Sequence, residues 1–129
     1  MIVYLDPSVL LARLFAEDRS PPDAFWNQRL ASSRLLEYEV LNRVHARGAW
    51  LSHGEAARSL LDRVSLVEMA PQVLDRALSP FPQPVRTLDA LHLATLAFLQ
   101  LQGLEMGLAT YDLRLAAAAG GMGLVLAAC

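Results

Sequence analysis

Short apolar segments alternate along this chain with longer segments of helical periodicity. The first, Ile2–Leu5, is apolar and partly β-branched, which is typical of a strand buried on both faces. Further strands are predicted at Ser33–Leu36, Ser65–Met69, Met106–Thr110 and Leu124–Ala127. Parallel strands need crossover connections, and helices between strands supply them. The alternation therefore predicts an α/β fold built on a parallel sheet.

The segments between the predicted strands carry helix signals. Ser52, with Glu55 three residues later, has the spacing of a capping box at a helix start. Thr87 is the predicted N-cap of Leu88–Leu101, which is apolar almost all round and is therefore expected at the centre of the fold. Other helices are predicted over Val9–Ala16, Asp23–Leu30, Glu37–Arg47, Pro71–Leu78 and Asp112–Ala119.

Length and composition restrict the class of protein. A chain of 129 residues is typical of one domain, so we expect a single domain over residues 1–129. The only cysteine is Cys129, which excludes an internal disulfide and a cysteine-rich zinc site. A net charge of −2 argues against a general nucleic-acid coat protein. The chain shows no targeting signal and no apolar segment long enough for a bilayer, so a cytoplasmic protein without membrane contact is expected.

Acidic residues follow the predicted strands at positions where a ligand site is expected. Asp6 comes directly after the first strand, Asp112 lies two residues after Met106–Thr110, and Asp89 lies in the first turn of the apolar helix. Ligands of open parallel sheets bind beyond the carboxyl ends of the strands, near the point where strand order reverses. Carboxylates gathered there repel one another unless a cation neutralises them, and oxygen-only ligands favour Mg²⁺ or Mn²⁺.

Each of these acids also has a simpler interpretation. Asp6 before a proline is a common turn residue, Asp112 a common N-cap, and Asp89 a partner for a helix dipole. Glu39 and Arg43 are four residues apart and have the spacing of a surface ion pair. Taken singly, the acids favour these structural roles, and only their joint placement at the ends of α/β units suggests a metal site.

His92 has two interpretations. It lies three residues after Asp89, so both side chains can lie on one face of the helix. A helical Asp-x-x-His is a possible metal site, but a histidine with satisfied hydrogen bonds at the edge of the core is the interpretation that we favour.

Four segments in order along the chain are similar to one known family. They are Ile2–Val9 (IVYLDPSV), Ser33–Arg43 (SRLLEYEVLNR), Arg86–Ala94 (RTLDALHLA) and Thr110–Leu115 (TYDLRL). On these segments the chain resembles PIN-domain ribonucleases and, within them, the VapC-type toxins of toxin–antitoxin pairs. Each segment alone is a weak signal, whereas all four in this order are highly specific.

The resemblance implies a PIN-like three-layer sandwich, with a parallel sheet of about five strands between helices. It implies an endoribonuclease that depends on Mg²⁺ or Mn²⁺, cuts tRNA or ribosomal RNA by a metal-activated water and leaves a 5′-phosphate. Homodimerisation and inhibition by an antitoxin protein are also implied. By motif position, the catalytic and metal-binding acids are Asp6, Glu39, Asp89 and Asp112, and the accompanying hydroxyl groups belong to Ser8 and Thr110.

Two points stay open. On a helical wheel Glu37 falls within the apolar stripe and Glu39 lies to one side, so periodicity favours Glu37 as the buried acid, whereas the motif favours Glu39. RNA affinity comes largely from neutralised phosphates, so local arginines must add to the bound cation; Arg43 and Arg86 are nearest in sequence to the acids.

Two other functions compete with the ribonuclease. One is a catalytically silent PIN module that binds RNA or a protein partner without cleavage, although such a module is expected to lack one or more of the acids. The other is a Mg²⁺-dependent phosphatase on a doubly wound fold. That enzyme would need an Asp-x-Asp after the first strand, and the segment from Asp6 to Ser8 lacks the second aspartate.

Overall fold

The computed structural model describes residues 1–129, which form an α/β fold with five strands and six α-helices. The strands are β1 (Ile2–Leu5), β2 (Leu30–Ser33), β3 (Val64–Val67), β4 (Met106–Ala109) and β5 (Val125–Leu126). The α-helices are α1 (Pro7–Leu14), α2 (Leu35–Ala46), α3 (Trp50–Leu61), α4 (Pro71–Ala77), α5 (Thr87–Leu101) and α6 (Leu113–Gly121). A 3₁₀ helix covers Asp23–Asn27. None of these helices combines the length and the apolar character that crossing a membrane requires.

The five strands form one parallel sheet in the order β3-β2-β1-β4-β5, which confirms the predicted fold class. The chain runs outward from β1 to β3 and then returns to the other side of β1 to form β4 and β5. Strand order therefore reverses between β1 and β4, where Leu5 is the register partner of Ala109. The carboxyl ends of these two strands lie at the point where such sheets bind ligands.

The side chains of β1 alternate between two apolar layers, as the two-residue period of a strand requires. Val3 and Leu5 pack in a core with residues of α1, α2 and α3. Tyr4 points to the opposite face, into a core that α5 and α6 contribute to. All three residues are fully buried. Helices thus cover both faces of the sheet and produce the expected three layers.

The second predicted strand was wrong in position. Ser33–Leu36 was predicted as a strand, but the strand is Leu30–Ser33, and α2 begins at Leu35. All four residues of β2 are buried, and the interior accepts Ser32 because its hydroxyl donates a hydrogen bond to the backbone oxygen of Leu5. The predicted helix over Asp23–Leu30 is correspondingly shorter, since only the 3₁₀ helix forms there.

Two predicted helix starts were also wrong. Helix α3 begins at Trp50, so Ser52 lies inside its first turn and donates a hydrogen bond to the backbone oxygen of Ala49 instead of capping the helix. Thr87 is the first residue of α5 rather than its N-cap, and the N-cap, Arg86, makes no side-chain hydrogen bond to the helix. Neither helix therefore begins with a side-chain capping hydrogen bond.

Candidate active site

Two of the predicted acids cap helices at the sheet edge where strand order reverses. Asp6 follows β1, and its side chain accepts a hydrogen bond from the backbone N–H of Ser8 at the start of α1. Asp112 follows β4, and its Oδ1 accepts hydrogen bonds from the backbone N–H groups of Arg114 (2.9 Å) and Leu115 (3.3 Å). The positive end of each helix dipole stabilises the carboxylate. The interpretation of Asp112 as an N-cap is confirmed, but its Oδ2 makes no hydrogen bond and stays available.

Two hydroxyl groups tie the loop after β4 to Asp6. Ser8 Oγ donates to Asp6 Oδ2 (2.5 Å) and accepts a hydrogen bond from the backbone N–H of Tyr111 (3.0 Å). Thr110 Oγ1 also donates to Asp6 Oδ2 (2.9 Å) and accepts one from the backbone N–H of Asp112 (3.0 Å). Each hydroxyl therefore fixes the Asp6 carboxylate and, at the same time, the loop that carries Asp112.

Asp6 retains one oxygen without a protein partner. Its side-chain hydrogen bonds, from two donors in Ser8 and one in Thr110, all end on Oδ2. The residue is only 6% exposed. Oδ1 is nevertheless not a fully buried atom without a partner, because Nε1 of Trp26 is the only side-chain atom of that kind in the chain. Burial raises the pKa of the Asp6 carboxyl, against the opposing effect of the hydrogen bonds from Ser8.

Asp89 shows that the acids lie within electrostatic range of one another. It lies half-buried in the first turn of α5 and makes no side-chain hydrogen bond. Its pKa is raised, first by burial and then by the negative charges of Asp112, Asp6 and Glu39, which more than offset the effect of His92. We call these four carboxylates, Asp6, Glu39, Asp89 and Asp112, the acidic cluster.

Glu39, and not Glu37, faces this cluster. Glu39 Oε1 contacts His92 Nε2 at 2.5 Å, across from α2 to α5. Glu37 instead forms ion pairs with Arg34 (3.1 Å) and Arg58 (3.0 Å) on the outer side of α2. The expectation from periodicity that Glu37 is the unusual buried acid was therefore wrong, because the end of the apolar stripe meets arginines rather than the core. Glu39 also forms no ion pair with Arg43.

His92 is a buried histidine with satisfied hydrogen bonds, as its favoured interpretation predicted. It is 2% exposed, and both ring nitrogens have partners, namely Glu39 Oε1 at Nε2 and Tyr4 Oη at Nδ1 (2.9 Å). The spacing of His92 and Asp89 predicted that the two could share a helix face, whereas the hydrogen bond to Glu39 on α2 was not predicted.

The donor set of the acidic cluster fits a divalent cation. Arginine pairs with other acids of the chain, namely Glu17, Asp23, Glu37 and Glu68, but with no member of the cluster. Every member keeps at least one carboxylate oxygen without a hydrogen bond from the protein. No three His, Cys, Asp or Glu side chains are grouped closely enough to form a complete ligand cage. Mg²⁺ does not need one, because it usually keeps several waters and binds one or two carboxylates directly.

A groove of about 620 Å³ opens beside the cluster. Its walls include Asp89 and Asp112 together with Arg86, Tyr111 and Arg114. Of the two arginines that the sequence singled out, Arg86 thus lies at the groove, whereas Arg43 is exposed on α2 and is not part of its lining. The groove combines acids for a cation with arginines for an anionic ligand.

Two tyrosines near the site were not singled out from the sequence. Tyr4 holds His92, and its signal was a phenol in an otherwise apolar strand, because a buried Tyr O–H needs a hydrogen-bond partner. Tyr111 lines the groove; the Arg19 guanidinium lies 4.5 Å from its ring centre, and its hydroxyl donates to the backbone oxygen of Cys129. The contacts of Tyr111 with Arg19 and Cys129 join distant parts of the chain and leave no local sequence signal.

Comparison with known proteins agrees with this architecture. The profile of the PIN domain family matches residues 3–121. Ribonuclease VapC46 of Mycobacterium tuberculosis strain H37Rv is 34% identical over 131 aligned residues, which cover 98% of this chain and 96% of that protein. Ribonuclease VapC47 of Mycobacterium tuberculosis strain CDC 1551 is 31% identical over 133 residues, with the same coverage of 98% and 96%. These matches confirm the resemblance found in the sequence segments, and the chain belongs to the PIN-domain family.

Proposed function

We propose that this chain is a divalent-metal-dependent endoribonuclease and the toxin of a toxin–antitoxin pair. The observation that carries the proposal is the acidic cluster, four carboxylates without an arginine partner at the point where strand order reverses. The printed names of the relatives, both ribonucleases of the VapC type, support the same reaction class. The proposed substrate is tRNA or ribosomal RNA, and the whole chain acts as one PIN domain.

The four acids of the cluster are the proposed catalytic and metal-binding residues, and their free oxygens would hold Mg²⁺ or Mn²⁺. When bound, such an ion supplies a water of lowered pKa for phosphodiester hydrolysis and neutralises part of the negative charge. The raised pKa of Asp89, caused by burial and by the negative charges of the other acids, supports the proposal of a bound cation. A cation removes this repulsion and so favours the ionised carboxylates.

The remaining residues orient the acids and the substrate. Ser8 and Thr110 hold Asp6 through Oδ2, so that Oδ1 is left for a ligand. The cap hydrogen bonds of Asp112 fix Oδ1 in the same way and leave Oδ2. Arg86 on the groove wall is suited to contact an RNA phosphate, since the planar guanidinium binds phosphate oxygens in pairs. Arg43, which lies outside the groove lining, would contact RNA only further from the cut.

The proposed protein partners are an antitoxin and a second copy of the chain. Large apolar side chains are exposed on the surface, including Leu78 at 86% and Leu74 at 48%, beside an apolar groove of about 780 Å³ between α4 and α5. Apolar surface of this kind is typical of protein interfaces. Size-exclusion chromatography with light scattering, alone and with the co-expressed partner, tests both expectations.

The catalytic proposal is tested by Asp6→Asn and Asp89→Asn, with Asp18→Asn in an exposed loop as the matched control. Both site variants keep the shape of the side chain but lose the negative charge and replace one acceptor oxygen by an NH₂ group. With Mg²⁺ or Mn²⁺ present, we expect RNA cleavage to fall by about 100-fold or more, the scale of losing one electrostatic stabiliser in an active site. The control should cleave like the wild type, and chelation should stop all cleavage.

Unchanged cleavage in both site variants would refute the assignment of the catalytic acids. A wild-type chain that binds Mn²⁺ and RNA but never cuts any RNA tested would instead support the silent PIN module. Circular dichroism and thermal unfolding of each variant show whether a loss of cleavage comes from a loss of the fold.

A further inference from the structure

His92 connects the acidic cluster to the buried hydroxyl group of Tyr4. Its Nε2 contacts Glu39 Oε1 at 2.5 Å, and its Nδ1 contacts Tyr4 Oη at 2.9 Å. Tyr4 Oη accepts a further hydrogen bond from the backbone N–H of Ser33 (3.2 Å), at the end of β2. Three elements of the fold, β1, β2 and α5, thus meet in one continuous set of hydrogen bonds that ends on α2.

The direction of these hydrogen bonds follows from the chemistry of the groups. An ionised carboxylate only accepts hydrogen bonds, so His92 Nε2 carries a proton and donates it to Glu39. The Tyr4 hydroxyl lies within hydrogen-bond distance of Nδ1, on the other side of the ring (2.9 Å). The backbone N–H of Ser33 completes the series as a donor to Tyr4. Each donor therefore has an acceptor, and the series ends at the Glu39 carboxylate.

Glu39 needs such a partner more than two of the other acids do. Asp6 and Asp112 cap helices, and backbone N–H groups hold their carboxylates. Glu39 lies inside α2, and its side chain is one methylene longer than that of aspartate. No backbone N–H group donates a hydrogen bond to its carboxylate. Its side chain is 18% exposed, and the hydrogen bond with His92 is the only one that its carboxylate makes with the protein.

The position of His92 on α5 adds a second argument. His92 lies three residues after Asp89, on the same face of the same helix. A hydrogen bond from His92 to Glu39 therefore sets the distance between a carboxylate on α2 and a carboxylate on α5. A histidine kept only for packing would not need a carboxylate on its solvent side, since an apolar side chain fills such a position without any unpaired polar atom.

We propose that His92 is a positioning residue, which orients the Glu39 carboxylate toward the cation site through its Nε2–H. The proposal rests on the proposed function, because it assigns a role within the same metal-dependent site. Glu39 Oε1 is then held by His92, and Oε2 is left for the cation or one of its waters. Outer hydrogen-bond partners of metal ligands typically change metal affinity or activity by about 10- to 100-fold when they are removed.

The test compares His92→Gln with His92→Leu. Glutamine retains an N–H donor near the position of Nε2, whereas leucine fills the volume and donates nothing. His45→Leu is the matched control, because His45 lies exposed on α2 against Trp50, with ring centres 4.7 Å apart. Mn²⁺ binding is measured by electron paramagnetic resonance and calorimetry, together with RNA cleavage as a function of Mn²⁺ concentration.

We expect His92→Leu to weaken Mn²⁺ binding by about 10- to 100-fold, His92→Gln to recover most of that loss, and the control to bind normally. His92→Leu should add little to the loss caused by Glu39→Gln, because both changes break the same interaction. In the metal-free wild type, ¹⁵N NMR should show a protonated Nε2 whose signal shifts in Glu39→Gln. This last measurement depends on neither metal binding nor RNA cleavage.

Two results separate the failure of this inference from the failure of the proposed function. If the wild type binds Mn²⁺ and cuts RNA, and folded His92→Leu does both equally well, or folded His92→Gln is as impaired as His92→Leu, the positioning role is wrong and the nuclease stands. If the wild type neither binds Mn²⁺ nor cuts RNA, the nuclease proposal is wrong and the positioning role falls with it, even where NMR shows the hydrogen bond.

Discussion

Replacing Tyr4 with phenylalanine removes one oxygen atom from the centre of the fold and leaves two buried groups unpaired. Tyr4 is fully buried, and its hydroxyl accepts from the backbone N–H of Ser33 and shares a hydrogen bond with His92 Nδ1. An unsatisfied buried polar group costs about 1–3 kcal/mol. Because the two groups lose the same partner and relax together, we expect Tyr4→Phe to lower the free energy of unfolding by about 2–4 kcal/mol. For a domain of this size, that corresponds to a fall in Tm of about 8–16 °C.

Urea unfolding followed by circular dichroism measures this change in the metal-free protein, so no nuclease assay enters the result. Tyr38→Phe is the matched control, because it removes the same atom from a side chain that is 61% exposed on α2. The control should stay within about 0.5 kcal/mol of the wild type. If Tyr4→Phe also stays within this range with an unchanged m-value, the hydrogen bonds of Tyr4 with His92 and Ser33 do not stabilise the fold by the expected amount.

Three other changes have expected outcomes that follow from particular contacts. Burial raises the pKa of Asp6 in the folded state, so the wild type loses stability as pH rises above the ordinary carboxyl pKa of about 4 and through the raised pKa of the folded state. The gain in Tm of metal-free Asp6→Asn over the wild type should therefore grow with pH and shrink when Mg²⁺ is added. A Cβ at Gly121 would lie 2.9 Å from a proline ring atom, whereas one at Gly120 meets nothing within 4 Å. Gly121→Ala should therefore cost about 1–3 kcal/mol in chemical denaturation, and Gly120→Ala should be neutral or stabilise by up to about 1 kcal/mol. Arg86→Gln should weaken RNA binding equally across sequences and lower the salt slope measured by fluorescence anisotropy by about 1. Arg58→Gln, which breaks the ion pair with Glu37 and lies outside the groove lining, should leave binding unchanged.

The sequence predicted the parts of the fold that depend on local patterns. Apolar runs such as Ile2–Leu5 identified strands that are buried on both faces, and the polar residues directly after them marked the edge of the sheet. Strand β2 was displaced because Ala31, Ser32 and Ser33 carry no strong strand signal. Their burial is decided by the strands on either side and by the hydrogen bond from Ser32 to Leu5, which come from distant parts of the chain.

The contrast between Glu37 and Glu39 shows the same limit at the candidate site. A helical wheel describes one helix, whereas the environment of an acid depends on what the neighbouring helices present to it. Arg58 on α3 reaches Glu37, and His92 on α5 reaches Glu39 from 53 positions further along the chain. The motif favoured Glu39 without any physical reason visible in the helix itself, and the hydrogen bond to His92 supplies that reason.

The pairing of β1 with β4 has a consequence for the timing of activity during synthesis. Leu5 and Ala109 are register partners in the sheet, so more than one hundred residues are synthesised after β1 before its second neighbour, β4, exists. Until β4 has left the ribosome, Thr110 and Asp112 cannot stand beside Asp6. A nascent chain would thus lack the complete acidic cluster until β4 and the loop after it have been synthesised, and the proposed nuclease could not act on RNA before that point.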